Sequence, residues 1–303
     1  MLSYDGFLTI RENTVILSPV NAAVKPERRP VTRPNSFIFT LFGDLAHRQA
    51  ATGGDGLWIG TLIRLMSAFG LSEAAVRQAV SRMLRQGWLT ARRSGNRAFY
   101  SVTARGRRRI EELSPRIYGP VIEWDGRWRL LAYTVDERSR EGRDRLRKEL
   151  SVLGWAPLAA STWISPADTL EAAREAAKTS AIANAVHLFT GVYCGPLSDR
   201  ELIERCWDLE AIAAAYREFA GYYEPRLRRE LELAALSDEA AFAERLWLVH
   251  DYRKFAYVDP GLPSELVPAH WPGTRAAALF RTYYDALERK AQRYFDGRAR
   301  AGA

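Results

Sequence analysis

From residue 35 to residue 102 the apolar positions follow three helical blocks and then an alternating one. Phe37, Leu41 and Leu45 share one face of a first helix that begins at Asn35 and ends near Gly53-Gly54. Leu57, Trp58 and Ile59 form a short extended piece. Leu62, Ile63, Leu65, Met66 and Phe69 mark a second helix stopped by Gly70. The third helix opens at Ser72, whose hydroxyl can accept from the free N–H groups of the first turn, with Glu73 favoured there by the helix dipole, and runs to about Gln86. At about 100° per residue, Val76, Ala79, Val80, Met83 and Leu84 fall on its apolar face, and Ala74, Arg77, Gln78, Ser81, Arg82 and Arg85 on the other. After Gly87, Trp88 to Arg93, the turn Ser94-Gly95-Asn96 and Arg97 to Val102 read as a β-hairpin.

Three helices and a hairpin in that order predict a winged helix-turn-helix. Thr103 then caps a helix from Arg105 to about Tyr118, and Pro120 to Gly126 reads as a linker. Beyond it come strand Trp128–Val135, helix Arg140–Leu153, strands around Trp155–Leu158 and Ser161–Ser165, helix Asp168–Lys178 and strand Val186–Tyr193. That β-α-β-β-α-β order is the ferredoxin-like split unit. Residues 198 to 303 are mainly helical, interrupted by the Pro-rich stretch Asp259–Gly273. The expected fold is therefore α+β and multidomain. It has a loosely ordered arm (1–33, with Pro19, Pro26 and Pro30), a winged helix-turn-helix (34–119), a ferredoxin-like domain (120–195) and a helical C-terminal domain (196–303).

Charge sharpens the reading of the first half. The chain carries a net +8, yet residues 28 to 110 hold fifteen arginines, no lysine and three acids (Asp44, Asp55, Glu73), a net of +12, so the remainder sums to −4. A basic module on a mildly acidic body suits a double-stranded DNA partner, because neutralised phosphates supply most sequence-independent affinity. A merely solvated face would have no reason to gather arginines on both the third helix and the hairpin while leaving the first two helices mostly uncharged. Arg77, Arg82 and Arg85 can pair bidentately with guanine, Gln78 with adenine, and Ser72 and Ser81 with phosphate, while Ala74 permits close approach. Arg92, Arg93, Asn96 and Arg97 at the hairpin would grip the flanking backbone. Arg107, Arg108 and Arg109 either touch phosphate or are solvated.

Other chemistries are thinly represented. Cys194 and Cys206 make no disulfide framework, and His47, His187, His250 and His270 form no ligand pair, so neither a structural metal nor a cofactor is expected. There is no G-x-S-x-G elbow, phosphate loop or paired-ligand motif, so an enzyme is not expected. No apolar run approaches the roughly 20 residues of a membrane span, and residues 1 to 24 lack a signal-peptide pattern; the expectation is a cytoplasmic protein.

From Arg33 to Tyr118 the sequence resembles the phenylacetate-degradation repressors, the PaaX-type regulators. The carrying residues are Ser36-Phe37-Ile38-Phe39-Thr40-Leu41-Phe42-Gly43-Asp44, Trp58-Ile59-Gly60, Leu71-Ser72, Val76-Arg77-Gln78-Ala79-Val80-Ser81-Arg82-Met83 and Gln86-Gly87-Trp88. The resemblance continues through Trp124-Asp125-Gly126-Arg127-Trp128-Arg129, Thr162-Trp163-Ile164-Ser165 and His250-Asp251-Tyr252-Arg253, then Asp259-Pro260, Leu262-Pro263 and Trp271-Pro272-Gly273. It implies a homodimeric repressor on a palindromic operator, released by an aryl-CoA thioester such as phenylacetyl-CoA. Such an effector needs cations for its phosphates and an apolar slot for its acyl group. Trp247, His250, Tyr252, Arg253 and Lys254, with Tyr257 and Trp271, and Trp124 and Arg127 at the domain junction, supply both kinds, although an aromatic stripe at helical spacing also describes a core.

The middle domain also resembles the CRISPR-associated Cas2 nuclease, whose first strand ends in Tyr-Asp; here Tyr133 is followed by Thr134, and Asp136 and Glu137 come later. A Cas2-like metal-dependent nuclease is one alternative function. An effector-independent DNA-binding protein is the other. Metal-dependent cleavage would identify the first, and indifference to every acyl-CoA the second.

Overall fold

The computed structural model describes residues 8–11, 14–17, 30–49, 56–119, 123–259 and 261–300. Within the N-terminal arm it shows strands β1 (Leu8–Arg11) and β2 (Thr14–Leu17) paired antiparallel, Leu8 opposite Leu17; the rest of the arm up to residue 29, the expected helix end at Gly53-Gly54 and residues 120–122 of the linker lie outside the described residues. The chain divides into two compact units, each built from separated segments. The first contains Met1–Tyr118, Phe219–Tyr252 and Ala277–Ala303; the second contains Gly119–Glu218 and Arg253–Ala276.

In the first unit, α1 (Pro34–Gln49) starts on a proline, whose fixed φ suits the first helical position. Phe37, Ile38, Leu41 and Phe42 are buried, a wider face than Phe37 and Leu41 alone, so the helix packs on two sides. Strand β3 (Leu57–Trp58) leads into α2 (Ile59–Ser67), which buries Ile59, Leu62, Leu65 and Met66, and then into α3 (Glu73–Arg85). Strands β4 (Leu89–Ser94) and β5 (Arg97–Val102) form the hairpin, with β3 on the other side of β5 in the order β3-β5-β4. Its two-residue connection needs a left-handed residue at the first position, and Gly95 supplies it with φ of 56°. Helix α4 (Ala104–Tyr118) begins under Thr103, whose hydroxyl donates to Gly87 O at 2.7 Å and accepts from Gly106 N at 3.1 Å. Gly106 is where that helix meets the hairpin: a Cβ there would lie 2.4 Å from Val102 Cγ1 and 2.9 Å from Trp88 O.

The second unit holds β6 (Trp128–Tyr133), α5 (Arg140–Val152), β7 (Ala156–Ala159), β8 (Thr162–Ser165), α6 (Leu170–Thr179) and β9 (Val186–Gly191). The sheet order β7-β8-β6-β9, with every neighbour antiparallel, is the expected ferredoxin-like arrangement of two interleaved β-α-β units. Leu131, Tyr133 and Trp163 from the strands, and Trp155 just before β7, meet Leu146, Leu150, Ala173 and Ala177 from the two helices in one core. The entry to β6 is clamped electrostatically. Asp125 takes both guanidinium ends of the buried Arg129 at 2.7 Å and accepts from Arg127 N at 3.0 Å, and the Arg129 hydrogen bond holds its carboxyl below the usual carboxylate range. This clamp is the physical content of the Trp-Asp-Gly-Arg-Trp-Arg string.

The helical remainder is α7 (Asp199–Cys206), α8 (Leu209–Leu233), α9 (Asp238–Tyr252), α10 (Phe255–Val258) and α11 (Pro272–Arg300). It is shared between the units. Phe242 and Leu246 of α9 and Ala291 and Phe295 of α11 belong to the same buried cluster as Phe37, Leu62, Val76 and Met83, so the core beneath α1 to α3 is completed by the far end of the chain.

Candidate nucleic-acid interface

The third helix divides as its sequence predicts. Val76, Ala79, Val80 and Met83 are buried, Leu84 packs on that cluster from its margin, and Ala74, Arg77, Gln78, Ser81 and Arg85 are exposed, with Arg82 half-buried. Ser72 is the N-cap, its hydroxyl accepting from Ala75 N at 3.2 Å, so this side chain is committed to the helix it starts. Arg77 donates to Glu73 at 2.7 Å, a pairing one helical turn apart. Both partners are more than half exposed, so the pair contributes only about 0.3–0.5 kcal/mol and Arg77 can leave it for a base edge at little cost.

On the hairpin, residues 90 to 97 are all exposed, and Arg92, Arg93, Asn96 and Arg97 stand there together. The sheet's aromatics hold some of these cations: Arg92 lies over the Phe99 ring (5.7 Å) and Arg97 over Trp58 (5.2 Å). Such contacts are worth about 0.5–1 kcal/mol at exposed sites and restrict long, rotamer-rich side chains before any partner arrives. At the base of the hairpin Arg105 lies 4.4 Å over Trp88 and donates to Gln86 O at 3.2 Å. Arg107 and Arg108 of α4 are exposed, while Arg109 pairs with Glu112 at 3.4 Å.

Behind this face lies a polar interior that sequence reasoning missed. Asp44 of α1 is buried, and Arg245 of α9, 1% exposed, reaches it with Nε (3.1 Å) and a terminal nitrogen (3.3 Å). The remaining terminal nitrogen donates to Tyr284 O at 3.1 Å, and the Tyr284 hydroxyl donates to Asp44 at 2.6 Å. Tyr118 also reaches Asp44, at 3.5 Å; burial first, and then the neighbouring carboxylate, pushes its hydroxyl pKa well above the usual value. The one available sequence signal was α9 itself, which carries Phe242, Leu246, Leu248, Val249 and Tyr252 around its circumference and so reads as a helix buried on all sides.

The aromatic residues nominated for an effector divide between the units. Trp247 packs on Phe37 at 4.6 Å and near Phe69 at 6.4 Å. The Thr40 hydroxyl lies within hydrogen-bond distance of Ser36 O (3.1 Å) and of His250 Nδ1 (2.8 Å). Tyr252 is buried and stacked on Phe280 at 4.0 Å. These three serve the packing of the first unit. In the second, Trp271 is buried edge-on to Tyr216 at 6.2 Å, and Trp124 donates to Arg127 O at 3.1 Å beside Trp128. Arg127 and Lys254 are exposed and Arg253 half-buried. Asp136, the nearest acid to the Cas2-type position, caps the turn Glu137–Ser139 by accepting from Ser139 N at 3.1 Å, and Glu137 pairs with Arg140 at 3.3 Å. Among the described residues no helix is long and apolar enough to cross a membrane.

Three family models match the chain in succession: PaaX-like protein over residues 33–106, PaaX protein central Cas2-like domain over 122–203, and PaaX-like protein C-terminal domain over 207–297. The Escherichia coli (strain K12) protein "Transcriptional repressor PaaX" is 35% identical over 263 residues, covering 83% of this chain and 79% of its own. A solved structure of an uncharacterized protein from Mycobacterium tuberculosis shares the fold at a TM-score of 0.53 and 22% identity, covering 88% of this chain and 98% of that one. The class so defined is one of transcriptional regulators, not of enzymes. Within it, the chain belongs to the PaaX family.

Proposed function

We propose that this protein is a DNA-binding transcriptional repressor whose first unit carries a winged helix-turn-helix. In this reading α3 enters the major groove, where Arg77, Gln78, Ser81, Arg82 and Arg85 read base edges and near phosphates, and the β4–β5 wing grips the flanking backbone through Arg92, Arg93, Asn96 and Arg97. The observation that carries it is the split surface of α3, apolar inward and arginine-rich outward, continued on the exposed hairpin. Family membership supports the same reading. The protein acts in the cytoplasm as a homodimer on a palindromic operator of a phenylacetate-type catabolic operon, and an aryl-CoA thioester such as phenylacetyl-CoA releases it.

Electrophoretic mobility shifts on DNA flanking the protein's own gene test this. The expected result is a retarded complex that competitor DNA of scrambled sequence does not displace and that phenylacetyl-CoA dissolves. Binding equally weak on every sequence would overturn the repressor reading. Specific binding unmoved by a panel of aryl-CoA esters would overturn the effector assignment and leave an effector-independent DNA-binding protein.

A further inference from the structure

The second unit contains a cleft of about 360 Å³, open to solvent, walled by the end of α5, strand β7, the junction between α7 and α8, and α10. Its lining is mainly apolar. Trp207 and Cys206 are half-buried in it, Ile212 is buried, and Tyr257 and Val258 stand 38% and 54% exposed. Single exposed apolar residues are ordinary on a protein surface. Here two adjacent ones, on one helical turn, line a concave wall that holds a tryptophan, which makes the cleft a candidate binding site.

Charge narrows the class of occupant. Asp208, an exposed carboxylate held by its bond from Ala211 N at 3.0 Å, borders the cleft. A free aromatic carboxylate would meet like charge there; the same acid as a thioester is neutral at that point. A cavity of about 150 Å³ accommodates benzene, so a ring, a methylene and a thioester carbonyl fit the space. Ser151 of α5 lines the cleft, and Arg147 and Lys148 are exposed one turn earlier on that helix.

We propose that this cleft receives the acyl end of a small aromatic acid's thioester, with Trp207, Tyr257 and Val258 around the ring and Arg147 and Lys148 toward the phosphates. The inference rests on the proposed effector response and supplies its site. Ala211 and Ile212, which line the cleft, belong to the first turn of α8, the helix whose residues from Phe219 onward are part of the first unit.

Cys206 reports occupancy directly. In the full-length Cys194→Ser protein only this thiol remains, and because burial raises its pKa, alkylation by iodoacetamide is followed at mildly alkaline pH. Saturating phenylacetyl-CoA should slow alkylation about tenfold, while phenylacetate leaves it unchanged. Val258→Arg, a change at an exposed position, should raise the phenylacetyl-CoA concentration needed for operator release by about tenfold without altering DNA affinity in its absence. Lys148→Ala should weaken phenylacetyl-CoA binding while leaving DNA affinity in its absence unchanged. Release from wild type and Val258→Arg alike, with no protection of Cys206, overturns the cleft and leaves the effector response standing. Protection without release keeps the cleft and overturns the effector response, and neither protection nor release overturns both.

Discussion

Replacing Arg245 by alanine isolates the buried pair between α1 and α9. In the native protein the Arg245 side chain is 2% exposed and that of Asp44 8%, so neither charge can turn to water once its partner is gone. Alanine leaves Asp44 with hydrogen bonds from Tyr284 and Tyr118 but no cation, and it empties the volume against the Tyr284 ring, over which the guanidinium sits at 3.5 Å. Breaking a buried pair from one side costs about 3–5 kcal/mol, and the two tyrosines place this case near the lower end, about 3 kcal/mol. For a unit of this size that is a fall of roughly 6–12 °C in Tm, measurable by calorimetry on the full chain, which resolves the two units if they melt apart. The double variant Asp44→Leu, Arg245→Met removes both charges and should recover most of the loss, because a neutral core needs no counter-ion. If Arg245→Ala melts within about 1 °C of wild type, or if the double variant loses as much as the sum of the single ones, the pair is not what holds α9 to α1.

Other perturbations probe the face itself. Arg77→Ala and Gln78→Ala should each cost about 1–3 kcal/mol on the operator and relax base preference, whereas Arg97→Ala should weaken all sequences alike and reduce the slope of log K against log salt by about 0.9; equal losses on scrambled DNA from all three would refute the division into reading and gripping residues. Gly106→Ala pushes a methyl into Val102 and Trp88 O and should cost about 1–3 kcal/mol, seen as a lowered Tm together with weaker DNA binding. Asp125→Asn tests the clamp on Arg129. Because the folded carboxyl is held below its ordinary value, its contribution is present above about pH 4 and lost as pH falls through the lower native pKa, so the Tm gap between variant and wild type should close on acidification; a pH-independent gap would refute the linkage.

The legible parts of this fold are those where neighbouring residues decide the outcome. The apolar face of α3, its Ser72 cap and the Gly95 turn are local signals, and all appear where the pattern put them. The strand and helix order of the second unit was legible for the same reason, since short connections leave little choice of partner. What stayed hidden depends on residues far apart in sequence. Asp44 and Arg245 are separated by 201 positions and each looks like an ordinary surface charge until both are seen buried together. Trp247 and His250 carried a composition suited to a ligand, yet their surroundings are Phe37 and Thr40, which periodicity on α9 could not name. On the candidate interface itself, the exposed side of α3 could be read because the buried side defines it by subtraction, while the Glu73–Arg77 pair and the aromatic rests under Arg92 and Arg97 depend on rotamers that sequence does not specify.

The shared core of the first unit also sets a schedule. Ribosomes extend a chain at roughly 5–20 residues per second, so Phe295 is added roughly 13–50 s after Phe37, the residue whose cluster it completes. Until then α1 to α3 lack Ala291 and Phe295, and the arginine face has no finished support. A polypeptide interrupted before its last helix is therefore expected to bind DNA more weakly than the full chain.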